Sequence, residues 1–219
     1  MIRPSDGRRE RSRFNPVGNE RLTAAVGVLL LAPIVVELLT VPLGVHSFMS
    51  LHVFVGFVLI PLVLLKLAST GWRFARYYTR SDAYVAHGPP WLVMRVLAPL
   101  LVVATVVLFV SGVAMGFVHG NALSIVRDLH GPASVVWIVL VGLHVLVYLK
   151  RTLIRGTEDI TVAGRAAVPG ARRRWLALGA ATVGGLVLAA ALIPAQHRWV
   201  DLRHGHHHHL ERSATAATR

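Results

Sequence analysis

Four residues in this chain have the type and spacing to bind a metal. Fourteen residues separate His130 from His144, and fourteen separate His52 from Lys66. On a helix rising about 1.5 Å per residue this is a separation of about 21 Å, just under four turns of about 3.6 residues, so both members of each pair project from nearly one face. Neutral imidazole nitrogen is a good ligand for iron. Two histidines on one face, far apart along a helix, are what two stacked haems would require if a second helix offered a ligand at each height. His52 is expected level with His130, and Lys66 level with His144. Gly56, one turn after His52, would let a flat macrocycle approach the backbone, and Gly142 could do the same near His144.

Each residue also has a more ordinary account. His52 and His130 could be interfacial histidines bonded to backbone or headgroups, and His144 a polar group satisfied within a bundle. Lys66 must lose its proton to ligate iron; otherwise it snorkels to the headgroups or meets a haem propionate. Glu37, deep in the first apolar run, is a candidate for proton exchange with a quinol or a hydrogen-bonded structural group. Trp137, midway between His130 and His144, either stands between two cofactors or packs against a neighbouring helix or lipid. His46 and His119 are alternative outer ligands, quinol-site residues or interface histidines, and Arg73, Arg95 and Arg127 could pair with propionates or merely flank the membrane. Pro33, Pro61 and Pro99 are expected to kink helices.

These residues are carried by five apolar runs, Leu22–Val45, Leu51–Ser69, Trp91–Phe117, His130–Leu149 and Trp175–Ile193. Each approaches the roughly 20 residues that cross about 30 Å of hydrocarbon as a helix, and the short alternating segments of a β-barrel are not visible. Of the 219 residues, 54% are hydrophobic and only 15% charged, with a mean hydropathy of +0.59. A soluble domain would carry more charge to cover its surface. The fold class expected is an all-α integral membrane protein: a four-helix bundle able to hold haem, plus one additional transmembrane helix.

The net charge of +13 would suggest nucleic acid in a soluble chain. Here the arginines concentrate in the N-terminal tail and in two connections, at Arg73, Arg76 and Arg80 and at Lys150 to Arg174. That distribution reads as membrane topology and contact with anionic lipid, not nucleic-acid binding. The first and third connections hold almost no positive charge, so the expected arrangement is a multi-pass protein of the cell membrane. Residues 1–21 form a basic cytoplasmic tail, 22–194 the bundle and 195–219 an extracytoplasmic tail. Trp72, Trp91, Trp175 and Trp199 fall where interfacial aromatics would, and the arginine-rich start does not read as a cleavable signal. In the C-terminal tail, His206, His207, His208 and His209 could bind a divalent metal with little selectivity. The absence of cysteine excludes iron–sulfur clusters, thiol catalysis, covalent c-type haem and disulfides.

The His-x13-His spacing with an in-register histidine on the second helix resembles the four-helix di-haem cytochromes b, of the bacterial cytochrome b561-like and hydrogenase cytochrome b group. Leu51-His52-Val53-Phe54-Val55-Gly56 and the stretch from Leu65 to Phe74 are similar to small actinobacterial membrane proteins of that type. The resemblance spans about residues 45–150. It implies one or two b haems, and electron transfer between a quinone pool and a partner, which could be a molybdopterin-dependent or other oxidoreductase subunit. Lys66 stands where the common pattern has histidine. The rival expectation is a haem-free scaffold or small transporter whose histidines move protons or metal.

Overall fold

The computed structural model describes residues 16–40, 48–81, 85 and 92–195. It is helical throughout, with no strand among the described residues. The helices are α1 (Pro16–Thr40), α2 (Met49–Tyr78), α3 (Leu92–Ala114), α4 (Asn121–Thr157), α5 (Val162–Ala167) and α6 (Ala171–Ala191), with single 3-10 turns at Glu158–Ile160 and Ile193–Ala195. All but α5 are long and apolar enough to cross a membrane. Apolar side chains such as Val103, Val110, Val135, Leu146 and Val187 stand exposed on their outer faces, an arrangement suited to lipid and adverse in water.

The helices overrun the apolar runs read from the sequence. Asn121, Ser124, Arg127 and Asp128 continue α4 beyond the apolar stretch, because a helix satisfies its own backbone whether it stands in lipid or water. His130 is therefore nine residues, about 13 Å, inside α4 and does not open it. Helix α1 is described to Thr40, so Glu37 lies within one turn of that end. The prolines at 33, 61, 99 and 132 lie inside helices that continue through them.

Helix α1 packs against α2 and α4, α4 against α3, and α6 against the far side of α2; α2 and α3 touch only lightly. Helices α2 and α4 thus face one another across the bundle. The core joins Val26 and Leu30 of α1 to Val55, Leu59 and Leu62 of α2. Without a hydrophobic drive between helices in lipid, close packing depends on small residues. Gly185 is one: a Cβ there would come within 2.5 Å of the Val58 carbonyl oxygen, so α6 rests directly on the α2 backbone. Gly120 and Gly170 take positive φ values of 59° and 86° at the turns leading into α4 and α6, a conformation glycine adopts without steric cost.

At the arginine-rich end, the link between α4 and α6 is fastened to α1. Arg21 bonds Asp159 Oδ1 at 2.9 Å and the Gly164 carbonyl at 2.6 Å, and its Nε lies 2.7 Å from Glu158 Oε2. Arg174 grips both oxygens of Asp159 and donates to the Pro169 and Val168 carbonyls at 2.9 and 3.2 Å. Arg21, Asp159 and Arg174 are each 7–8% exposed. Composition assigns these arginines to the flanking charge of the membrane surface; the fold instead places two of them inside, facing one aspartate.

Candidate functional site

His52 on α2 and His130 on α4 meet across the bundle. Their ring centroids are 6.5 Å apart and their planes cross at 88°. Each ring is held through Nδ1. For His52 the partners are Glu37 Oε1 at 3.0 Å and Thr40 Oγ1 at 3.3 Å, both from the last turn of α1. For His130 the partner is Ser111 Oγ on α3 at 2.9 Å, and the Leu108 carbonyl is also within bonding reach of the ring.

The Thr40 hydroxyl is within donating distance of the Glu37 carbonyl at 2.6 Å, and the Ser111 hydroxyl of the Val107 and Leu108 carbonyls at 2.6 and 3.0 Å. A hydroxyl that spends its hydrogen on a carbonyl can accept from the histidine, and an imidazole protonated on Nδ1 keeps its lone pair on Nε2 for a metal. Both rings are oriented by partners on two further helices.

A centroid separation of 6.5 Å leaves room for one metal ion between the two imidazoles. The described residues contain no group of three or more His, Cys, Asp or Glu side chains that could complete a bare-metal site. A metal that brings its own macrocycle would need only these two side chains from the protein. Glycines clear the space on both sides. A Cβ at Gly112 would lie 3.1 Å from His130 Cε1, and one at Gly56 would lie 3.7 Å from Glu37 Oε1.

Lys66 and His144 each meet other partners. Lys66 Nζ donates to the Thr23 carbonyl on α1 at 2.6 Å, and His144 packs its ring 5.1 Å from that of Tyr148. Nδ1 of His144 is buried without a hydrogen-bond partner. Trp137 is 7% exposed and donates its indole N–H to Thr105 Oγ1 on α3 at 3.0 Å, so it packs between helices. His119, Arg95 and Arg127 are exposed and Arg73 half-buried; Trp72 stands exposed beneath the Arg76 guanidinium, 5.8 Å from its ring. His46, Trp91, Trp199 and His206 to His209 lie outside the described residues.

Sequence reasoning missed Thr40, Ser111 and Gly112. The available signal was Ser111-Gly112, a polar and a small residue together inside an otherwise apolar helix. Comparison with protein-family models, with curated proteins and with solved structures found no match to this chain.

Proposed function

We propose that this chain is a membrane electron-transfer subunit, a b-type cytochrome, with haem held between His52 and His130. The observation that carries the reading is the pair of imidazoles with centroids 6.5 Å apart, each held through Nδ1 by a partner on another helix. Haem bound there would supply a one-electron couple. The chain's contribution is to hold the ligands. Glu37, Thr40 and Ser111 orient the imidazoles, and Gly112 admits the ring of His130.

The resemblance in the His52-to-Gly56 stretch supports a quinone pool as one electron partner, and a second oxidoreductase subunit at the membrane surface as the other. The arginine-rich end, with Arg73, Arg151, Arg155 and Arg165, is assigned to the cytoplasm by the excess of positive charge, and the membrane is the cell membrane. The test is an absorption spectrum of protein purified from haem-replete cells. A reduced-minus-oxidised difference with a Soret and an alpha band, abolished together in His52→Ala and His130→Ala, supports the assignment. A colourless preparation overturns it.

A further inference from the structure

We infer that the half of the bundle around Lys66 is a helix clasp, and that the chain therefore has one cofactor site and not two. The four ligand-type residues sit at two heights fourteen residues apart, and the two heights are built differently. At the first, His52 of α2 and His130 of α4 face each other with ring centroids 6.5 Å apart. At the second, the α2 side chain binds the α1 backbone and sits with Thr152 of α4 in the notch at Gly27.

The Lys66 bond to the Thr23 carbonyl is one of three contacts that join α1 to α2 here. Asn19 Nδ2 donates to the Ser69 carbonyl at 2.9 Å and the Thr23 and Ser69 hydroxyls lie 3.0 Å apart, while within α2 Ser69 Oγ donates to the Lys66 carbonyl at 3.0 Å. Helix α4 closes on the same stretch of α1. A Cβ on Gly27 would lie 2.9 Å from both Lys66 Nζ and Thr152 Cγ2, so the ammonium group fills the notch left by the absent side chain. One turn further along α4, a Cβ on Gly156 would lie 2.9 Å from the Ala24 carbonyl oxygen. The backbone of α1 between residues 23 and 28 is thus gripped from α2 and from α4 together. Lys66 Nζ, 2.6 Å from the Thr23 carbonyl and seated in the Gly27 notch, is placed against α1, and as an ammonium it has no lone pair to give iron. The residues at this height do not fit a second haem.

The cofactor arm of this inference rests on the haem reading; the packing arm does not. The experiment compares the purified full chain with Lys66→Met and with Gly27→Ala, measuring haem per protein and thermal unfolding in the same detergent. The expected result is about one haem per chain in all three, an unchanged difference spectrum, and a melting temperature several degrees lower in both variants. About two haems in the parent chain, or a reduced haem ratio in Lys66→Met, overturns the single-site inference while leaving the cytochrome assignment standing. Melting temperatures equal to the parent's overturn the clasp. A parent chain with no haem overturns the proposed function, and the melting shift still decides the clasp.

Discussion

The hydroxyl of Ser111 on α3 lies 2.9 Å from Nδ1 of His130 on α4 and also reaches the Val107 and Leu108 carbonyls of its own helix. A helix that carries neither histidine thereby orients the His130 ring on its neighbour. Ser111→Ala removes this partner. The expected outcome is haem binding weakened by about 10–100-fold, the usual effect of losing an outer-shell partner. Titration of haem into the apoprotein measures it.

Glu37 does for His52 what Ser111 does for His130, with a carboxylate in place of a hydroxyl. Glu37→Gln keeps an oxygen acceptor, whereas Glu37→Leu leaves Thr40 alone at 3.3 Å. Haem content is expected to fall clearly in Glu37→Leu and to stay near the parent's in Glu37→Gln. Equal loss in both variants would assign the effect to charge and not to hydrogen bonding.

Asp159 is shared by two buried arginines, one of which, Arg21, also meets Glu158. Removing one partner of a buried pair costs about 3–5 kcal/mol, because the opposite charge stays buried. Asp159→Ala is expected to lose that much in reversible detergent unfolding. The haem spectrum of the surviving folded fraction should be unaltered, since the cluster lies at the far end of the bundle from His52.

The Trp137–Thr105 hydrogen bond ties α4 to α3, as does the contact of Ser111 with His130. Trp137→Phe keeps most of the packing and loses this bond. Thr105 keeps its bond to the Leu101 carbonyl at 2.6 Å. The expected cost is about 1 kcal/mol, with haem content unchanged. A loss of haem would place Trp137 at the cofactor and contradict the packing role.

The spans were legible because crossing a membrane demands a run of apolar residues whatever the neighbours are. The opposition of His52 and His130 was legible for a related reason: two helices running the same way, each with its chemistry at a fixed step, must align those steps. The partners of the two rings were not. Glu37 and Thr40 reach His52 only because of the angle at which α1 crosses α2, and Ser111 reaches His130 only through the pairing of α3 with α4, and neither angle is written in a local pattern. Lys66 shows the same limit. Its height follows from the spacing, but its turn towards Thr23 depends on the notch at Gly27, on a different helix. Arg21 and Arg174 resemble every other arginine at the membrane edge until Asp159 is placed between them.

The 37 residues of α4 have a consequence for how the protein meets its surroundings. At about 1.5 Å per residue the rod is about 55 Å long, nearly twice the roughly 30 Å of hydrocarbon that it has to cross. Even when tilted, it protrudes as a stalk, so a single continuous backbone links His130 in the oily slab to groups standing in water.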